Sequence, residues 1–208
     1  METRLIQIQI ALLLLFMGLY FFVGSENKVV TNLEKEADRL LFGDVDFSLV
    51  YGLEIEGGEH NLTFVRDKDQ NRWFLVSQFK SPVKKGLIMD TLFEFLRTLK
   101  KGYLRSKNPK DFAKLGIGTD ETIKILLKDK KMGVIKSIWI GAFNKKDKTY
   151  FIKVGSREEV REIPSPKPEL QRKYAFLFDN ERLAIPLDRQ KWIEKRVYPE
   201  SMKIVEVR

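Results

Sequence analysis

Hydrophobic and polar positions fall along this chain in three regimes, and the first is the simplest. Residues 5–23 run for nineteen positions without a charge. At 1.5 Å rise per residue, a helix of that length reaches about 28 Å, close to the hydrocarbon thickness of a bilayer. Gln7 and Gln9 stand near one end and Tyr20, Phe21 and Phe22 at the other, as suits groups at a headgroup layer. A cleaved secretory signal shares the basic start at Arg4 but needs a shorter apolar stretch and a small-x-small cleavage site, which Phe22, Val23 and Gly24 do not supply. A run apolar on every face also suits a buried helix of a soluble core, but its place at the extreme N-terminus favours the membrane. The expectation is an uncleaved transmembrane anchor over residues 1–24.

The second regime has helical spacing. Val29, Leu33, Ala37 and Leu40 recur at three or four residues, with Thr31 and Glu34 placed as a capping box, which predicts a stalk helix over residues 25–43. From Val45 the period drops to two. Val45, Phe47, Leu49, Tyr51, Leu53 and Ile55 alternate with mostly polar neighbours, the signature of one long half-buried strand. Gly57-Gly58 turns the chain into a second strand over 60–66, and the polar stretch 67–71 leads to a third over 72–76. After Ser81-Pro82, the residues Ile88, Leu92, Phe95, Leu96, Leu99 and Tyr103 share a helical face opposite Asp90, Glu94, Arg97 and Lys101.

The third regime repeats the order. Strands are predicted over 123–127, 134–143, 150–154 and 160–163, followed by three prolines at 164, 166 and 168. Helices follow over 169–178 and 189–197, and a closing strand over 202–207. The fold class expected is α+β: an N-terminal transmembrane helix, then antiparallel sheets each followed by packed helices, as a degenerate two-unit repeat. Its units are residues 44–108 and 109–208.

Composition narrows the chemistry. The chain has 208 residues, no Cys and one His, which removes disulfides, thiolate nucleophiles, Cys-held zinc or iron-sulfur centres, and every two-His metal motif. A Ser-His-Asp triad requires His60, which sits in a glycine turn and reads as a surface histidine. Asp44 and Asp46 lie on one face of a strand in a spacing open to a divalent cation, but read as solvated acids. Gly116 and Gly118 lack the full dinucleotide spacing and read as a turn. Asn61-Leu62-Thr63 fits a glycosylation pattern but falls inside a predicted strand. Trp73, Trp139 and Trp192 stand in apolar stretches as core residues. No catalytic residue, metal ligand or cofactor is assigned.

The net charge of +9 belongs to residues 25–208, because only Glu2 and Arg4 precede them. Lysine runs at 128–136 and 145–148 read first as a solvated face; attraction to anionic lipid headgroups is the second use, ahead of nucleic acid, since no interleaved aromatic signature accompanies them. Lys28, Lys35 and Arg39 directly after the apolar run weigh slightly against an external C-terminal body, but large domains translocate largely regardless of charge.

The order of several short patterns carries a resemblance: Leu40-Leu41-Phe42 before an alternating strand, Trp73-Phe74-Leu75-Val76, Ser81-Pro82-Val83, and the helix over 87–99. The second half adds Leu115-Gly116-Ile117, Ile138-Trp139-Ile140-Gly141, Tyr150 to Val154, Trp192 to Arg196 and Ile204 to Val207. Across residues 40–207 the chain resembles a family of single-span bacterial envelope proteins of unassigned activity. Their genes commonly sit beside the permease and ATPase of gliding-type ABC transporters. Lys114 stands where the family tends to have Tyr. The resemblance implies a membrane-anchored, non-catalytic accessory subunit of an ABC transporter complex. It would sit in the bacterial inner membrane with an extracytoplasmic domain that contacts the permease, through it the ATPase, and other envelope subunits. The alternatives are a membrane-tethered envelope enzyme using acids such as Asp44 and Glu54, or a scaffold binding an anionic polymer.

Overall fold

The computed structural model describes residues 12–17, 34–67, 71–76, 80–155 and 158–194. Its centre is an antiparallel pair that joins the two halves of the chain. Strand β1 (Gly52–Gly57) and strand β6 (Ile123–Lys128) run side by side from Gly52↔Lys128 to Gly57↔Ile123. Leu53 and Ile55 thereby face the same way as Ile125 and Leu127, and all four are buried. On the first side follow β2 (His60–Asp67), β3 (Arg72–Val76) and the short β4 (Ser81–Pro82). On the second follow β7 (Val134–Asn144), β8 (Thr149–Val154) and β9 (Val160–Pro164), with β5 (Tyr103–Ser106) outermost. The order β4-β3-β2-β1-β6-β7-β8-β9-β5 is one continuous nine-stranded sheet.

This corrects the expected architecture. The chain does not build two sheets each backed by its own helices, because β1 and β6 complete each other's hydrogen bonding and bury one shared apolar row. The strand that follows the first helix, β5, crosses to the far edge and pairs with β9, Tyr103 against Glu162. The helical segments are short: a π-helical turn over Leu87–Phe93 running into an α-helix over Glu94–Thr98, then Pro168–Lys173 and Arg189–Trp192. The fold is therefore mostly sheet.

Among the described residues no helix is long and apolar enough to cross a membrane. The expected transmembrane anchor falls largely outside the described residues. Only residues 12–17 are described, as helix with all six side chains exposed. The expected stalk is helical over residues 34–37 and then turns, with the rest of it again outside the described residues.

The core lies on one face of the sheet. Leu62, Phe64, Leu75, Ile138, Ile140, Tyr150, Ile152 and Ile163 project from the strands onto Ile88, Leu92, Phe93, Phe95 and Leu96 of the helical layer. Residues 170–193 complete that layer with Tyr174, Leu177, Leu183, Ile185 and Trp192. Trp192 is fully buried between Phe64 and Phe176, at ring separations of 5.0 and 4.9 Å, and its indole N–H donates to the Pro186 carbonyl at 2.8 Å. Tyr150 ties the small hairpin of β10 (Phe178–Asp179) and β11 (Arg182–Leu183) to the sheet. Its hydroxyl donates to the Glu181 carbonyl at 2.7 Å and accepts from the Leu183 amide at 2.8 Å. A smaller cluster on the opposite face, Ile117, Phe151 and Val160, lies under the loop that carries Phe112 and Leu115.

Two predicted elements end differently for local reasons. Asp46 interrupts the alternating run at 45–55 by accepting from the Ser48 amide at 2.9 Å, which caps a 3-10 turn over Phe47–Leu49 and delays the strand to Gly52. The expected regular helix at 87–99 opens as a π-helix because Asp90 and Thr91 both donate to the Gly86 carbonyl, at 2.8 and 3.0 Å. Tyr103 then leaves the helix face for β5. The predicted closing strand over 202–207 lies outside the described residues.

Trp192→Ala should lower stability by about 3–5 kcal/mol, the range for a truncated buried aromatic, while Trp139→Ala, at a half-buried site, should lose less than half of that. Urea denaturation with the slope unchanged checks both.

Candidate contact surfaces

The residues singled out by sequence are taken up by structural work. Asp44 binds Lys136 in an ion pair, and the lysine also donates to the Leu41 carbonyl at 3.0 Å and lies 5.4 Å from the Phe42 ring centre. Hydrogen bonding from Lys136 is the main reason the Asp44 carboxyl sits below the ordinary carboxylate range, with partial burial opposing it. Asp46 is likewise lowered, by the Ser48 hydroxyl first and its amide second. Glu54 pairs with Lys128 at 2.5 Å and Glu56 with Lys124 at 2.9 Å, across the central β1–β6 seam on the face away from the main core. The acids named for an enzyme reading, Asp44 and Glu54, thus engage different lysines. His60 opens β2 and is exposed.

Gly116 and Gly118 form the expected turn, with φ of 72° and 79°. A Cβ at Gly116 would stand 2.4 Å from the Ala142 amide nitrogen, whereas one at Gly118 would meet nothing within 4 Å. Trp73 and Trp192 are core residues, as read. Trp139 is half-buried on the opposite face, with the ammonium groups of Lys153 and Lys124 at 4.8 and 5.5 Å from its ring centre. The lysine runs divide: Lys128, Lys136 and Lys148 are held by Glu54, Asp44 and Glu181, and Lys130, Lys131, Lys145 and Lys146 are exposed. Among the described residues no group of three or more acids and histidines is placed to hold a metal ion.

Three surfaces that sequence reasoning did not single out are formed by the fold. The first is the outer edge of β5, where Tyr103 is 56% exposed and Leu104 49%. Successive strand residues point to opposite faces, so both faces are open there. Residues 37–41 cover the preceding segment, through Lys101 to Arg39 at 2.7 Å and Gly102 to Ala37 at 3.0 Å, and stop short of Tyr103. The signal available in sequence was a Tyr-Leu-Arg triplet after a glycine, too short to separate from a helix end.

The second is a cleft of about 610 Å³ between β3 and the start of the π-helix, lined in part by Arg66, Arg72, Lys84, Gly86 and Asp90. Trp73 borders it, and its indole nitrogen is buried with no hydrogen-bond partner among the described residues, an arrangement that costs about 1–3 kcal/mol. The third is a cleft of about 630 Å³ in which Leu40, Ile135 and Val154 meet Arg39, Lys101, Lys136 and Arg161. Beside it stands the β6–β7 turn. There Asp129 accepts from the Lys131 and Gly133 amides at 2.8 and 2.9 Å, and Met132 takes a φ of 64°. A left-handed conformation at a residue with a Cβ costs roughly 1–2 kcal/mol. The three are an exposed strand edge, a cleft bordered by a buried donor, and a cleft whose apolar residues are rimmed by Arg39, Lys101 and the Asp44–Lys136 and Glu159–Arg161 pairs.

The profile of Domain of unknown function (DUF4340) matches residues 73–201, more than half of the chain, and the chain belongs to that family. The match begins within β3, so the inner strands β1 and β2 precede the matched span. No curated protein and no solved structure matches the chain.

Two measurements test these assignments. Gly116→Ala should destabilise clearly more than Gly118→Ala, because both meet a backbone penalty of roughly 1–2 kcal/mol and only the first also collides with β7; thermal melts compare them. Because the Asp44 carboxyl is lowered in the folded state, its contribution is present above the unfolded value and lost as pH falls through the folded one. The Asp44 side chain is 75% exposed, so screening limits the effect to below about 1 kcal/mol. Asp44→Asn should remove that acid-side loss, measured as the change in urea midpoint between neutral pH and about pH 3.

Proposed function

We propose that this chain is a membrane-attached, non-catalytic accessory subunit of an ABC transporter complex, working through protein contacts of its sheet domain outside the cytoplasm of a bacterial cell. Attachment is supported by the uncharged stretch at residues 5–23, of which residues 12–17 are helical and present Leu12 to Met17 uncovered. The transporter assignment is supported by the resemblance, whose gene neighbourhood supplies a permease and an ATPase as partners. Neither partner is identified by the sheet itself.

The observation that carries a contact role is β5. A strand at the end of a sheet offers unpaired backbone donors and acceptors, and a partner strand that adds there gains main-chain hydrogen bonds together with side-chain contacts. Natural edges are commonly blunted by brevity, proline or inward charge. The β4 edge follows that rule with Ser81 and Pro82. The β5 edge instead presents Tyr103, Leu104 and Arg105, and tyrosine and arginine are residue types enriched at protein interfaces. Tethering the domain in the membrane plane raises the effective concentration of any neighbour, so modest contacts suffice.

Purification of the tagged full chain in mild detergent should recover a permease and an ATPase, and recovery of the chain alone would overturn the subunit assignment. Leu104→Asp should reduce that recovery on the order of tenfold, the loss expected for one well-packed interface residue, with the melting temperature unchanged because Leu104 touches little of the core.

A further inference from the structure

We infer that the tip of the β6–β7 hairpin, together with Leu40, is a lipid-contact site that seats the body against the headgroup layer of an anionic bilayer surface. The inference rests on the membrane attachment proposed above and adds to it the face turned toward the lipid. The tip exposes three aliphatic side chains within four residues: Met132 at 40%, Val134 at 55% and Ile135 at 40%. Leu40, at 52%, lines the same cleft as Ile135, along with Arg39 and Lys101. Lys130 and Lys131 stand exposed in the turn itself.

The charges at this end leave a positive surplus. Asp44 is bound by Lys136, and Arg161 is shared between Glu159 at 3.1 Å and Glu36 at 3.3 Å. Asp129 keeps its charge while accepting from the Lys131 and Gly133 amides, which leaves two acids in excess among these groups against four further cations. Arg39, Lys101, Lys130 and Lys131 then ring the aliphatic patch. Basic groups beside anionic headgroups, with aliphatic side chains entering the boundary of the acyl region, make the usual chemistry of an interfacial anchor.

Composition separates this surface from the β5 edge. Protein interfaces favour aromatic residues, methionine and arginine and are depleted in lysine; Tyr103 and Arg105 on β5 fit that, and it is the lysines and the lack of an aromatic residue that set the tip apart. The hairpin tip holds methionine, valine, isoleucine and lysine, with no aromatic residue between Asp129 and Ile135. Its place on the chain fits as well. Residues 37–41 lie at this end of the body, with Leu41 bonded to Leu99 at 2.7 Å and to Lys136 at 3.0 Å. Eleven residue steps separate Val23 from Glu34, a reach of at most about 40 Å. The lipid surface is therefore always within range of this end.

The chain has no cysteine, so one introduced thiol can carry a polarity-sensitive fluorophore in the full-length protein. Val134→Cys reports the tip. Lys146→Cys reports the exposed turn at the other end of the eleven-residue β7, about 36 Å away along the strand. The proteins are reconstituted in vesicles of one part phosphatidylglycerol to two parts phosphatidylcholine, and vesicle flotation is scored in the same samples. The expected result is a blue shift at position 134, with emission lost to nitroxide-bearing lipid, and neither change at 146. The shift at 134 should shrink when Lys130 and Lys131 are both replaced by Glu, and in pure phosphatidylcholine. Equal, water-like behaviour at 134 and 146 in protein that floats overturns the inference and leaves the attachment standing. A tip that becomes shielded only after transporter proteins are added also overturns it, in favour of a protein partner. Protein that fails to float overturns both, whereas failure to recover a permease removes only the subunit assignment.

Discussion

The pairing of β1 with β6 is the constraint on which the molecule depends. Each strand brings an alternating row of side chains, and neither half of the chain can bury its row alone. Leu53 and Ile55 beside Ile125 and Leu127 make a continuous apolar strip. On the reverse face the same register sets Glu56 directly against Lys124 and brings Glu54 diagonally to Lys128. A one-residue slip would send the apolar strip to the wrong face and separate both ion pairs at once. The half-buried pairs thus matter more for register than for stability, to which exposed or half-exposed pairs contribute little.

A sheet with its main core on one face must cover that face, and the covering layer explains the short helices. Residues 87–98 and 168–192 are laid over the sheet, where Phe95 meets Tyr174 at 5.8 Å, Phe93 meets Phe47 at 4.9 Å and Trp192 meets Phe176 at 4.9 Å. None of these segments needs to be long, because each is held by contact with strands beneath it and not by its own hydrogen bonds. The π-helical opening at Gly86 shifts the following face by part of a turn, and Phe93 enters the core beside Phe47 at 4.9 Å.

Much of the sheet was legible in the sequence, because strands with one buried face advertise a period of two. β2, β3 and β6 to β9 fall where alternation placed them. What failed was the assembly of strands into units. Order along the chain implied two sheets, but edge-to-edge pairing of β1 with β6 is a non-local choice that alternation cannot express. β5 was missed because Tyr103 sits at helical spacing from Leu99, so its period read as helix until the sheet edge claimed it. The 3-10 turn at Phe47–Leu49 was hidden for the opposite reason, since Asp46 imposes a local cap on a segment whose pattern is extended. Of the candidate surface residues, the acids could be named but not their partners: Lys136 lies 92 positions from Asp44. The exposed edge and the hairpin tip are properties of what is left uncovered, and sequence has no direct signal for that.

The crossing of β5 to the far side of the sheet has a consequence for biosynthesis. Among the described residues its one strand neighbour is β9, which begins at Val160, so a nascent polypeptide emerging N-terminus first holds β5 unmated while more than fifty further residues are made. β1 waits for β6 from Gly57 until Ile123, so the two waits overlap after β5 is made and before β6 appears. The early product therefore displays two open borders at once, each a template for wrong association.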